Sequence, residues 1–314
     1  MSSSLSTAGA GDAAGAVTTA TSKPDLFAAL LPTGQISAAV RRWIDDDMPG
    51  FDVGGLVVGT DRKEATLWMK SPGVFAGRPF FDAVFVEVGC DVTWEDAAVE
   101  GEHLDASSSN KIKLATVTGP CNALLRGERT ALNSISRCSG VATASREAVE
   151  LARSHNWDGL VAGTRKTTPG FRVVEKYGLL AGGAATHRLD LSQMVMLKDN
   201  HVWSAGSIGG AVKLARRAAG FSQKIEVECR TLEEAYEAAG AGAEIVMLDN
   251  FAPERLRRDA ATFKGRYPHV IVEASGGITT ETMAEYLCEH VDVISQGKLT
   301  QGYDSVDYSL KIVR

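Results

Sequence analysis

Ile245-Val246-Met247-Leu248 is an unbroken apolar run that ends abruptly in Asp249-Asn250, and the reading of this figure decides the fold. It recurs between Leu160 and Gly297. Leu160-Val161-Ala162 precedes Gly163-Thr164-Arg165-Lys166, and Met194-Val195-Met196-Leu197 precedes Lys198-Asp199-Asn200-His201. Ile225-Glu226-Val227-Glu228 follows. Val270-Ile271-Val272-Glu273-Ala274 then runs into Ser275-Gly276-Gly277, and Val291-Asp292-Val293-Ile294-Ser295 into Gln296-Gly297. Short β-branched runs separated by helix-length segments predict βα units and a parallel sheet. In such sheets chemistry gathers where the strands end, so the sequence already outlines an active-site rim.

The alternation covers residues 142–300, well short of the ~250 residues of a complete eight-unit barrel. An incomplete α/β barrel of six or seven strands is expected. Residues 24–141 have a different character, with helices and strands grouped. Ile36 to Trp43 and Arg78 to Val88 read as helices. Ala65 to Lys70, Val92 to Trp94 and Lys111 to Thr118 read as strands, and a long helical region follows Gly119-Pro120. Within 301–314, Val306 to Ile312 alternates like a strand that returns to the first domain. Of the first 22 residues, 18 are Ser, Thr, Ala or Gly. Such a segment buries too little apolar surface to offset its ordering entropy, so 1–23 is expected to be a disordered tail.

Composition excludes several classes. The net charge of −6 gives no general attraction to nucleic acid. No run approaches the ~18 apolar residues of a membrane span. Five cysteines, odd in number and without a C-x-x-C pair, suit free thiols in a reducing compartment, the cytoplasm and also the nucleus. No histidine pair has zinc-helix spacing, so a structural metal is not expected.

Candidate chemistry sits at the strand ends. Thr164-Arg165-Lys166-Thr167-Thr168-Pro169-Gly170 sets a rigid guanidinium fork beside a mobile ammonium, a pairing suited to carboxylates or phosphates. His187-Arg188 gains weight by following it. Lys198 leaves a buried strand and reads either as a cation for phosphates or as a desolvated Schiff-base amine. In Lys224-Ile225-Glu226-Val227-Glu228, alternation puts Lys224, Glu226 and Glu228 on the inner face, with Glu226 a structural partner of an interior lysine and Glu228 nearer the rim. Glu228 and Asp249 suit sugar hydroxyls, Mg²⁺ or a developing positive charge. Ser275-Gly276-Gly277 and Gln296-Gly297-Lys298 offer backbone N–H groups for a phosphate. Arg129 shares a helical face with Leu125 and Leu132, which suggests an interface or a buried partner.

At these residues the chain resembles the quinolinate phosphoribosyltransferase family. The resemblance rests on Lys70-Ser71-Pro72-Gly73, Gly127 to Asn133, Ala162 to Gly170, Thr186-His187-Arg188, Met196 to His201, Val227-Glu228-Cys229, Met247 to Phe251 and Glu273 to Ile278, in order along the chain. It implies an N-terminal open α/β sandwich and an incomplete, about seven-stranded α/β barrel, assembled at least as a homodimer. It implies that quinolinate and phosphoribosyl pyrophosphate give nicotinate mononucleotide, pyrophosphate and CO₂. Arg165, Lys166, Thr167, His187, Arg188 and Lys198 would then bind substrate, with Lys166, Glu228 and Asp249 catalytic. Glu228 and Asp249 would serve the ribose and Mg²⁺, and Ser275, Gly276, Gly277, Gln296, Gly297 and Lys298 the 5′-phosphate. Arg129 would come from the neighbouring subunit. Lys298 departs from the small or apolar residue the family leads one to expect there. The rivals are a nicotinate-type phosphoribosyltransferase, a Schiff-base lyase or aldolase using Lys198, and a non-catalytic binding protein on the same scaffold.

Overall fold

The computed structural model describes residues 27–313; the expected tail at 1–23 lies outside them. The first half contains α1 (Thr33–Asp47), α2 (Val53–Val58), β1 (Arg62–Met69), β2 (Gly73–Val74), α3 (Arg78–Glu87), β3 (Asp91–Trp94), β4 (His103–Leu104), β5 (Ile112–Pro120) and α4 (Cys121–Ser154). The alternating half contains β6 (Leu160–Ala162), α5 (Arg172–Ala181), β7 (Val195–Leu197), α6 (Asp199–Ala205), α7 (Ile208–Ala219), β8 (Ile225–Cys229), α8 (Leu232–Gly240), β9 (Ile245–Asp249), α9 (Pro253–Arg266), β10 (Ile271–Ser275), β11 (Val293–Ser295), α10 (Lys298–Gln301) and β12 (Tyr308–Ile312).

Two sheets organise these elements. An antiparallel sheet runs β12-β1-β5-β3, so the last strand closes onto the first half, with Leu310 opposite Leu67. A parallel sheet runs β6-β11-β10-β9-β8-β7. Beyond β6 the seventh barrel position holds a single bridge, Ala162 to Ala185, with Ala185 N–H donating to Val161 O at 2.8 Å. Left-handed backbone at Gly183 (φ 90°) and His187 (φ 53°) turns the chain on both sides of Ala185, which keeps this segment from extending into a strand.

The alternation in β8 works as expected. Ile225 and Val227 are fully buried beneath the covering helices, each contributing about 1.5–3 kcal/mol, while Glu226 points inward. Lys224 lies just outside the strand and is exposed, so Glu226 has His187 and Glu273 near it, not the interior lysine expected. Short βα turns follow: Thr231 caps α8 by accepting from Glu234 N–H, and Pro253 starts α9 where no donor is needed.

Helix α4 passes through position 142 without a break. Cys138 and Ala142 belong to the first core, and Val141, Ala148 and Ala152 to the second. Helix α5 straddles the same two cores, with Val174 and Tyr177 in one and Leu179 in the other. Gly178 allows this packing, because a Cβ there would stand 2.8 Å from Cys138 O. The five cysteines are free, and no helix among the described residues is long and apolar enough to cross a membrane.

Candidate active site

The C-terminal ends of the parallel strands surround a cavity of about 660 Å³. Arg165, Lys166, Arg188, Lys198 and Lys298 line it as cations, and Glu228, Asp249 and Glu273 as carboxylates. A net positive cavity in a chain of charge −6 marks a site for polyanions. The lining also takes in His187, Ser275, Gly276, Gly277 and Gly297, together with Met196, Met247, Asn250, Ile278 and Thr279.

One side is cationic. Arg188 is only 8% exposed, and its nearest side-chain acceptor is the Met196 thioether at 3.4 Å. Burial, and then the charge of Arg165, hold its pKa below the usual arginine value. Among the described residues neither Arg165, Lys166 nor Arg188 has a carboxylate ion-pair partner, whereas Lys198 is paired with Glu228. The Arg165-Lys166 loop is held from below: Thr300 Oγ1 donates to Lys166 O at 2.7 Å, and Arg172 Nε to Thr167 Oγ1 at 3.0 Å.

The opposite side is acidic. Burial and the neighbouring charge of Glu228 push the Asp249 carboxyl upward, so these two groups feel each other across the rim. Two carboxylates with one lysine between them suit a divalent cation that also meets phosphate oxygens. Next to them, Gly276 has φ +103°, and a Cβ there would lie 2.4 Å from Asn250 Oδ1 and 2.5 Å from its backbone N. Only glycine lets this loop pass so close, which turns backbone toward the cavity.

At the floor of the cavity, ligand atoms of His187 and Glu273 lie within 4.8 Å of one another and of those of the fully buried Glu226. Hydrogen bonding argues against a metal there. Arg188 N–H donates to His187 Nδ1 at 2.8 Å, so Nδ1 carries no proton. The proton is therefore on Nε2, which donates to Glu273 Oε2 at 3.0 Å, with Glu226 Oε2 at 3.6 Å. A metal ligand needs the opposite tautomer. Burial and the adjacent Glu273 push Glu226 well above the carboxylate range, favouring its neutral form. Both His187 nitrogens are thus engaged within the protein.

The structure brings most of the expected residues together, with three exceptions. Thr167 faces an adjoining cleft with Thr168, Pro169 and Tyr303, because its hydroxyl is taken by Arg172. Gln296 is fully buried. Its amide meets Met283 Sδ and Thr280 Oγ1 while its backbone N–H donates to Ala162 O, so it offers the cavity no side chain. Arg129 is exposed on α4 and does not line the cavity of its own chain. Glu273 and Lys176 escaped the reading of the rim. Glu273 had the same signal as Glu226, an acid inside an apolar strand; Lys176 lies inside helix α5, away from any strand end.

Comparison with known proteins agrees with this geometry. The quinolinate phosphoribosyl transferase N-terminal domain model matches residues 52–139 and the C-terminal domain model residues 141–311. Nicotinate-nucleotide pyrophosphorylase (carboxylating) of Rattus norvegicus is 53% identical over 92% of this chain and 95% of its own length. The Homo sapiens protein of that name is 52% identical over 91% and 94%. The solved nicotinate-nucleotide pyrophosphorylase from Francisella tularensis is 28% identical, with a TM-score of 0.80 over 90% of this chain and 98% of its own.

Proposed function

Because the chain belongs to the quinolinate phosphoribosyl transferase family, we propose that it transfers phosphoribosyl from phosphoribosyl pyrophosphate to quinolinate and releases pyrophosphate and CO₂, leaving nicotinate mononucleotide. This is a pentosyl transfer serving NAD biosynthesis. The observation that carries the reading is the two-sided cavity, with unpaired cations facing Glu228 and Asp249. Quinolinate brings two carboxylates and each phosphate group roughly −1.5 to −2, so the reactants repel one another until fixed cations hold both.

Arg165 and Arg188 take the quinolinate carboxylates, and Lys166 and Lys198 the charge between the substrates. His187 acts by orienting Arg188, since its nitrogens are occupied. As the C1′–O bond breaks, positive charge develops on the ribose, and Glu228 and Asp249 stabilise it. Ser275 to Gly277, Gly297 and Lys298 receive the 5′-phosphate. Glu228 and Asp249 also fit Mg²⁺, which when bound would neutralise the departing pyrophosphate. Ribosylation leaves the pyridine nitrogen cationic. The ring then accepts the electron pair of the adjacent C–CO₂ bond, and a proton replaces the carboxylate.

Exposed Val53, Leu56 and Val57 on α2, with Leu125 beside Arg129 on α4, form an apolar face that suits a second copy delivering Arg129 to this cavity. Net negative charge and free thiols suit the cytoplasm. A Schiff-base role for Lys198 is disfavoured, because an ammonium paired with Glu228 is not a free amine. The test is to mix protein, Mg²⁺, phosphoribosyl pyrophosphate and carboxyl-labelled quinolinate. Labelled gas in step with nicotinate mononucleotide supports the proposal; turnover of nicotinate in its place would select the rival phosphoribosyltransferase.

A further inference from the structure

Three side chains on one face of α5 hold the loop that carries Arg165 and Lys166. Arg172, Glu175 and Lys176 have the i, i+3, i+4 spacing that stacks them along a helix. Arg172 meets Thr167, and Glu175 accepts from Thr168 N–H at 2.9 Å and Thr168 Oγ1 at 2.8 Å. Lys176 does something more. Its Nζ donates to Thr164 O at 2.8 Å and also to Thr186 O. Thr164 immediately precedes Arg165-Lys166, and Thr186 immediately precedes His187-Arg188.

The position of Thr186 makes this tie consequential. The segment around Ala185 holds to the barrel by one bridge and not by a full strand, so few ladder bonds fix where His187 and Arg188 begin. Lys176 is 3% exposed and sits behind the cations it serves, out of the cavity lining. Burial and the charge of Arg172 act against this ammonium, Glu175 acts for it, and Arg188 and Arg165 add to the cost. Hydrophobic packing alone would be met more cheaply by leucine or methionine. What the ammonium supplies is a pair of divergent donors joining two chain segments that present the cations.

We propose that Lys176 is a positioning residue that sets the spacing between Arg165 and Arg188, and through it the recognition of a substrate with two adjacent carboxylates. The inference rests on the proposed use of quinolinate. Misplacing a binding group by ~1 Å can reduce turnover by up to ~100-fold. Lys176→Met keeps the stem and removes both donors. It should raise the KM for quinolinate by about 10-fold or more, leave that for phosphoribosyl pyrophosphate within about 3-fold, and keep a cooperative melt. Lys176→Arg, which retains charge and several donors, should recover most of the quinolinate KM.

Should Lys176→Met fail to fold, Lys176→Gln, with one amide donor left, should show the same one-sided shift. Equal increases in both KM values, or an unchanged quinolinate KM in a folded variant, would overturn the assignment. Wild-type protein run alongside separates the two failures: if it does not turn over quinolinate, the functional reading itself falls; if it does, only the role of Lys176 is at issue.

Discussion

Replacing Arg188 with methionine should weaken quinolinate binding without weakening the fold, and the two effects have separate origins. In the free protein Arg188 is 8% exposed, and among the described residues its guanidinium hydrogen-bonds to the Met196 thioether, at 3.4 Å, and to no carboxylate. A hydrogen bond to a charged group contributes about 1.5–3 kcal/mol, so losing one such contact weakens quinolinate binding about 10- to 150-fold. Stability should respond in the other direction. A buried cation without a carboxylate partner carries an uncompensated desolvation penalty, and methionine of similar length removes it. If about 1 kcal/mol is recovered, Tm rises by roughly 1.5 °C for a chain of this size. Titration calorimetry with quinolinate and a thermal melt measure both quantities on one preparation. Unchanged quinolinate affinity, or a Tm lower by more than about 5 °C, would refute the idea that Arg188 is held for a ligand and contributes nothing to the fold.

Other expectations address separate parts of the molecule. Gly276→Ala forces a Cβ to within 2.4 Å of Asn250 Oδ1 at φ +103°; urea denaturation should show a loss of about 1–3 kcal/mol, and the KM for phosphoribosyl pyrophosphate should rise while that for quinolinate holds. Glu100 accepts from Gly77 and Arg78 N–H, yet burial pushes its pKa up to about 7. Because the folded state holds the proton more tightly, its stabilising contribution is complete below pH ~4.5 and is lost as pH rises through about 7, on the order of 3 kcal/mol. Glu100→Gln should flatten stability between about pH 4.5 and 7, the span between those two values, and parallel wild-type and variant curves would contradict the burial argument. On the proposed dimer, Arg129→Ala and Lys166→Ala should each be nearly inactive, but refolding them together should restore about a quarter of wild-type activity, since half of such dimers would carry one complete site. No recovery would place Arg129 outside the partner's cavity.

Legibility followed burial. Ile225, Val227 and the Ile245 to Leu248 run announced their strands because a parallel barrel buries such residues, and Arg165, Lys166, Lys198, Glu228 and Asp249 stood out because each ends or follows one of these runs, whereas His187 and Arg188 stood out only by following the Arg165 motif. Thr167 and Gln296 were misjudged for a different reason. Proximity in sequence to a rim says nothing of which way a side chain turns, and both had partners inside the protein, Arg172 and Met283, that only folding reveals. The residues before His187 carry no apolar run, so the single bridge at Ala185 that makes them a barrel position left no signal in the sequence. The β2 and β4 pair is too short to show a period.

The division between rim and floor explains why so much charge is tolerated in one cavity. At the rim, Arg165, Lys166 and Arg188 have no carboxylate ion-pair partners among the described residues, and an isolated chain gains nothing from holding them together. The floor offsets this with fixed, neutral-leaning hydrogen bonds: His187 locked as the Nε2–H tautomer between Arg188 N–H and Glu273, and Glu226 driven toward its protonated form. His187 Nδ1 thereby gives the Arg188 backbone N–H its acceptor at the place where the chain enters the cation wall. Had Glu226 stayed ionised near Arg188, it would have competed with the substrate carboxylate for the same guanidinium. A floor that supplies fixed dipoles and keeps Glu226 from answering Arg188 leaves the arginines oriented and unsatisfied, which is the state in which a dicarboxylate gains the most by binding. Glu226→Gln tests this directly. An amide cannot ionise, so it should preserve quinolinate affinity within a few-fold from pH 6 to 8, whereas Glu226→Asp, with a shorter carboxylate, should lose affinity as pH rises. If the glutamine variant loses binding as severely as Arg188→Met, Glu226 acts as an anion and the neutral-floor argument fails.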